Sequence, residues 1–188
     1  MNINISKNKI IYLFTDGAVS GNGSTNSYAG YGICIMNNNK NENGDGDSNI
    51  ISEPCEYISN ALMYSRNLPR GTTNQFAELY AIKRGLKILI KKKIIDSVDG
   101  ITINLYTDSM YSINCLNTWI VNWKKNNWIN SNKKSVINKE LIKSIDDIIY
   151  ELGKINVVVV FHHIRSHKSP PADKNSTEYM IWYGNDMA

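Results

Sequence analysis

Apolar residues recur along this chain in short β-type runs before residue 60 and in helix-spaced runs after residue 73. Residues 10–14 (IIYLF) and 31–36 (YGICIM) are apolar and rich in β-branched and aromatic side chains. The first run ends at Thr15-Asp16-Gly17, and Gly21-Asn22-Gly23-Ser24 supplies turn chemistry before the second, which predicts two strands joined by a loop. Residues 37–49 (NNNKNENGDGDSN) are polar and low in complexity. They are expected to form an exposed hairpin tip leading into a third strand near residues 50–58, so that three antiparallel strands result. The spacing of Asp45, Asp47, Asn49 and Glu56 imitates a calcium loop, but Ile50 stands where such a loop needs glycine.

Leu68-Pro69-Arg70-Gly71 breaks the chain, and Thr73 or Asn74 can then cap a helix on which Phe76, Leu79, Tyr80, Ala81, Leu86, Leu89 and Ile90 recur at helical spacing. Residues 101–106 predict a strand that stops on Thr107-Asp108-Ser109. Residues 110–123 and 140–152 predict helices, separated by the basic, tryptophan-flanked stretch KKNNWINSNKK. Residues 157–161 (VVVVF) predict a buried strand, followed by His162-His163-Ile164-Arg165-Ser166-His167. The expected order is βββαβααβ with the last segment cut short. That order implies an α/β fold with a five-stranded mixed sheet, three antiparallel strands then two parallel, flanked by helices. No repeat or Pro- or Ser-rich linker divides the chain, so residues 1–188 are expected to form a single domain.

Composition narrows the setting. A chain of 188 residues can bury a core without disulfides or a structural metal. Its three cysteines, Cys34, Cys55 and Cys115, form no C-x-x-C pair, which points to a reducing, intracellular environment. No secretory signal opens the sequence and no window has the eighteen or so apolar residues of a membrane span, so a soluble protein without membrane contact is expected. The net charge of +4 is too small to name a partner.

The carboxylates carry the chemistry. Asp16 and Asp108 each follow an apolar run within the pattern Thr-Asp-small, and the carboxyl ends of strands are where open α/β sheets bind ligands. Glu78 lies among Phe76, Ala77, Leu79 and Tyr80 on the first long helix. Any one of them could be a turn former or a solvated residue. Brought together, they would need cations, and oxygen ligands without thiolates or an imidazole cluster suit Mg²⁺ or Mn²⁺. His163-x-x-x-His167 is a poor zinc pair, because its strand-to-loop setting lacks a helical face and no third ligand accompanies it.

Four segments, FTDGAVSGNG, TTNQFAELYAI, LYTDSMYSINCLNTWIVNWKKNNW and HHIRSHK…GNDMA, resemble in order the signature segments of type 1 ribonucleases H. The resemblance runs from about residue 10 to the last residue. It implies the ribonuclease H-like fold and an endonuclease that cuts the RNA strand of an RNA–DNA hybrid, acting as a monomer and leaving 5′-phosphate and 3′-hydroxyl ends. It further implies two Mg²⁺ ions, replaceable by Mn²⁺, held by Asp16, Glu78, Asp108 and Asp186, with Asp16 bridging both. His167 matches the family's loop histidine, with His163 as its alternative, because the stretch from His167 to Asp186 is longer than the compact bacterial loop.

The matching substrate positions are Gly17, Asn22, Thr73 and Asn74 along the hybrid's minor groove or phosphates, where small and amide groups can reach 2′-hydroxyls. Lys124, Lys125 and Trp128 match a basic protrusion that tracks the DNA strand, while Trp119 and Trp123 read as core residues of a helix pair. Two other readings share the fold and the acidic cluster: an integrase- or resolvase-like strand-transfer enzyme, and a hybrid-binding module without turnover. The segment from residue 168 to 185 is expected to be poorly ordered, with Asp186 mobile, because two residues after it cannot nucleate a helix.

Overall fold

The computed structural model describes residues 9–21, 27–37, 54–95, 100–166 and 168–188, the side chain of Cys55 excepted. Of the expected hairpin tip at 37–49, residues 38–49 lie outside the described residues, as do Asp45, Asp47 and Asn49 of the calcium-loop imitation, Asn22 and His167; Asn37 ends β2 and Glu56 lies in α1.

The β-rich first third gives strands β1 (Lys9–Ser20) and β2 (Tyr28–Asn37). Helix α1 (Pro54–Ser59) and strand β3 (Leu62–Leu68) follow. Then come α2 (Asn74–Lys91), β4 (Ile101–Thr107), α3 (Met110–Ile113) and α4 (Ile120–Lys125), with a π-helical stretch, Asn114–Trp119, joining the last two. The chain continues with α5 (Lys139–Lys154), β5 (Val157–His163) and α6 (Thr177–Asp186). The strands form one mixed sheet in the order β3-β2-β1-β4-β5, with β3-β2-β1 antiparallel and β1-β4-β5 parallel. This is the five-stranded arrangement that the sequence pattern implies.

Four expectations need correction. The strand expected at 157–161 forms as β5 but is not buried: it is an edge strand on which only Val157 is buried, with Val158 56% and Val160 37% exposed. The third strand is not at 50–58: α1 occupies part of that stretch and β3 lies later, at Leu62–Leu68. Its pattern misled because β3 is an edge strand with most side chains in solvent, so it carries no apolar alternation. The helix expected over 110–123 is interrupted by the π-helical stretch. The stretch expected to be poorly ordered contains α6, capped by the Ser176 hydroxyl, which accepts from the Tyr179 amide at 3.0 Å.

Both faces of the sheet are covered. On one face, Ile11, Leu13, Ile33, Ile35, Ile103 and Leu105 meet Leu79, Ile82, Leu86 and Leu89 of α2 and Ile142 and Ile145 of α5. Burial of such apolar side chains contributes roughly 1.5–3 kcal/mol each. The other face has a smaller cluster of Phe14, Cys34, Met36, Tyr57 and Met180, roofed by α1 and α6. Gly184 makes that roof possible, since a Cβ there would come within 2.3 Å of the Phe14 ring. Cys34 and Cys115 are free and buried, and burial pushes their thiols up to about 12 and about 11, which leaves them inert at neutral pH. No described helix is long and apolar enough to cross a membrane.

Candidate metal centre and nucleic-acid interface

The two Thr-Asp pairs converge through strand register. In the parallel pair β1-β4 the last aligned partners are Phe14 and Tyr106. Asp16 and Asp108 each lie two residues further on, so they emerge side by side where the strands part. Asp16 is not at the end of its strand as its sequence suggests: β1 runs on to Ser20, paired with β2, and Asp16 faces Gly32 there. Asp108 turns from β4 into α3. Its carbonyl accepts from the Met110 amide at 3.1 Å and faces His163 Nε2 at 3.2 Å, while the Thr107 hydroxyl accepts from the Ser109 amide at 3.2 Å.

Glu78 reaches the same place from the second turn of α2. Thr73 caps that helix, its hydroxyl accepting from the Phe76 amide at 3.3 Å. Gly17 then lets the helix lie against β1, because a Cβ at this position would come within 2.3 Å of the Glu78 backbone nitrogen. A carboxylate oxygen from each of Asp16, Glu78 and Asp108 lies within 4.8 Å of the other two.

The electrostatics of this trio are unfavourable by themselves. Glu78 is 5% exposed, and burial, followed by the nearby Asp16 and Asp108 charges, pushes its carboxyl up to about 9 against a hydrogen bond from the Gly17 backbone that lowers it. Its Oε2 is buried without a hydrogen-bond partner. An orphaned buried oxygen among converging carboxylates fits a hard divalent cation such as Mg²⁺ or Mn²⁺, which would satisfy that oxygen and offset the repulsion. Asp186 stands apart: it is exposed at the end of α6 and is not in the trio. The chain after it does approach the site, since the Ala188 carbonyl fills the space over Gly32, the partner of Asp16.

The expected substrate residues divide into groups. Thr73 and Asn74 are exposed at the start of α2, four or five residues before Glu78. Gly17 is buried beneath that helix, so its glycine is explained by close packing. On the protrusion, Lys124 is paired with Asp146 of α5, while Lys125 is exposed at the end of α4. Trp128 packs partly buried, with its ring 6.4 Å from Trp123 and the Lys143 ammonium 5.4 Å from its centroid. Trp119 is 39% exposed and borders a groove of about 530 Å³ with Trp123, Asn122 and Asn126.

Sequence reasoning missed Asn138. It stands just before α5 in a left-handed conformation, φ 59°, and joins Thr73, Arg70 and Gly71 in lining a cavity of about 450 Å³. Its distance from Thr73 along the chain hides this pairing from any local motif, although an asparagine between a basic loop and an amphipathic helix is a signal of a left-handed cap.

Comparison with known proteins agrees with this geometry. The RNase H family model matches residues 8–180. A Clostridium botulinum ribonuclease H is 32% identical over 173 residues, covering 92% of this chain and 96% of its own. Ribonuclease H1 of Mus musculus is 32% identical over 138 residues, covering 73% of this chain and 39% of its own. Among solved structures, the PFV RNase H domain has a TM-score of 0.60 at 22% identity, covering 97% of this chain and 91% of its own. LC9-RNase H1 gives the same TM-score at 14% identity over 97% of this chain and 75% of its own. With the family model spanning both strand-borne aspartates, the helix-borne glutamate and the sheet that brings them together, the chain belongs to the RNase H family.

Proposed function

We propose that this protein hydrolyses the RNA strand of RNA–DNA hybrids with the help of divalent cations, Mg²⁺ or Mn²⁺, held by Asp16, Glu78 and Asp108. The observation that carries this reading is the convergence of those carboxylates within 4.8 Å, one of them buried with an orphaned oxygen, in a chain of the RNase H family. When bound, two such ions would neutralise the phosphodiester and activate the attacking water at one end and stabilise the leaving oxygen at the other. In-line displacement then leaves 5′-phosphate and 3′-hydroxyl ends.

The chain's own groups do the rest. Asp16 is central because its strand lies beside the one that carries Asp108 and against the helix that carries Glu78, so its carboxylate would hold the cations together with both. The fourth carboxylate that the family resemblance places at Asp186 is a weaker ligand in this reading, as its side chain is exposed and outside the trio. His167 is proposed to carry the proton in the step that releases product. His163, bonded to the Asp108 carbonyl, positions the turn instead.

Asn74 at the start of α2, with Asn22, is proposed to face the minor groove, where an amide can bond the 2′-hydroxyl that distinguishes RNA from DNA. Thr73, Arg70 and Asn138 offer a hydroxyl, a guanidinium and an amide in one cavity, a set suited to a backbone phosphate. Lys125 and the tryptophan-lined face of the protrusion extend the track along the DNA strand.

The test is cleavage of an end-labelled RNA strand in a hybrid, compared with duplex RNA, duplex DNA and single-stranded RNA, in Mg²⁺ and in EDTA. Cleavage confined to the hybrid and abolished by EDTA is expected. Cutting or joining of duplex DNA would replace this reading with strand transfer, and tight hybrid binding without turnover would reduce the protein to a binding module.

A further inference from the structure

The far end of α2 carries a feature that hybrid cleavage does not use. Where α2 packs against α5, Arg84, Lys87, Ile88, Ile90 and Lys91 of α2 and Ile148 of α5 line a groove of about 360 Å³. Its α2 residues, Arg84 to Lys91, lie six to thirteen residues beyond Glu78, roughly 9–20 Å along the helix at its rise per residue. The groove is therefore separate from the carboxylates at the other end of α2.

Its chemistry is one-sided. The charged groups lining it are cations, and among the described residues none of Arg84, Lys87 and Lys91 is in an ion pair. Arg84 Nε is shielded from water and has no hydrogen-bond partner, an expensive state for a guanidinium donor. The lining is aliphatic between these cations: Ile88 and Ile148 are partly buried, and Ile90 is left 46% exposed.

We propose that this groove docks an acidic segment of a partner protein whose carboxylates pair with Arg84, Lys87 and Lys91 and whose aliphatic side chains fill the space over Ile88, Ile90 and Ile148. Charge complementarity selects an anionic occupant, and the unpartnered Nε of Arg84 suits a carboxylate. The apolar lining selects protein over nucleic acid. A bare strand held away from the catalytic edge would need aromatic rings on which to stack its bases, and no aromatic residue lines this groove. An amphipathic acidic segment uses both the cations and the isoleucines. Docking there would tether the enzyme to its partner and leave the catalytic edge free.

The test uses the full chain and a fluorescein-labelled peptide that alternates glutamate pairs with single leucines, followed by fluorescence anisotropy at low salt. The same peptide with serine for leucine, and a labelled oligothymidine of equal charge, run alongside. The glutamate-leucine peptide should bind better than either. Lys87→Glu with Lys91→Glu should weaken it at least about tenfold, as two lost pairs and their reversal would. Ile90→Ser should weaken it also, and both variants should keep the wild-type circular dichroism and the wild-type rate of hybrid cleavage. The proposal is overturned if the peptide does not bind, if either variant binds it as well as wild type, if the serine peptide binds equally, or if oligothymidine is preferred. A protein that binds the peptide and cleaves no hybrid would refute the nuclease reading and leave this one standing.

Discussion

Glu78 is the residue at which folding and function conflict most. Its folded carboxyl, raised to about 9 from an ordinary 4.5, keeps a proton that the unfolded chain has already lost between those values. In that window the native state binds more protons than the unfolded one, so the stability of the metal-free protein falls as pH rises from about 4.5 towards about 9. Glu78→Gln removes this penalty, since its carbonyl can still accept from the Gly17 amide while its NH₂ faces the Asp16 and Asp108 carboxylates. We expect the variant in EDTA to be more stable than wild type at pH 7, by roughly 1–3 kcal/mol, with the gap closing towards pH 4.5. Added Mg²⁺ should raise the melting temperature of the wild type and have much less effect on the variant, which should also be inactive. Thermal melts across pH, with and without Mg²⁺, read this directly, and a wild type that gains stability with rising pH in EDTA would contradict it.

The same residues rank the ligands. Asp16→Asn and Asp108→Asn should each lower hybrid cleavage at least about a thousandfold, roughly 4 kcal/mol of transition-state stabilisation, with hybrid binding largely retained. Asp186→Asn should cost less than about tenfold, because its exposed side chain shares no charge with the trio. Single-turnover rates decide: an Asp186 variant as inactive as the Asp16 variant would make it an equal fourth ligand. The kinship of the two Thr-Asp pairs was legible in the sequence, because each follows an apolar run and precedes a small residue. The burial that makes Glu78 the focus of the charge conflict was not, since it depends on how closely α2 lies against β1.

At the scale of elements, that approach rests on Gly17. A methyl group there would meet the α2 backbone at 2.3 Å, which backbone atoms cannot yield without moving the helix. Gly17→Ala should therefore destabilise the fold by about 1–3 kcal/mol and, by displacing Glu78, weaken Mg²⁺-dependent stabilisation more than it weakens hybrid binding. Equal losses in both would mean that Gly17 serves the substrate directly, as its sequence position first suggests. Elements with a strong apolar signal were readable: β1 and β5 from continuous apolar runs, β4, α2 and α5 from periodicity. Those that escaped, β3, α1 and α6, are solvent-washed or short. Within α6 only Met180 and Gly184 are buried, too few for a helical stripe, although an N-cap serine, Ser176, with an acidic residue, Glu178, in the first turn is an N-terminal signal that could have found it.

At the scale of the molecule, the question is how a chain of net charge only +4 holds a polyanion. Hybrid binding must then draw on local groups, and their geometry separates two lysines that are adjacent in sequence. Lys124 is neutralised by Asp146 of α5, a partner it would have to leave before meeting a phosphate, whereas Lys125 stands exposed at the end of α4 without an ion-pair partner among the described residues. Each phosphate contact releases condensed counterions, so its loss lowers the slope of log affinity against log salt by about 0.7–0.9. Lys125→Ala is therefore expected to reduce the slope by about that amount and to weaken binding more at low salt than at high. Lys124→Ala should change the slope by less than half as much, while loosening α4 from α5. Hybrid affinity measured across a salt series for both variants separates these outcomes, and equal slopes for the two would mean that Asp146 releases Lys124 whenever the hybrid arrives.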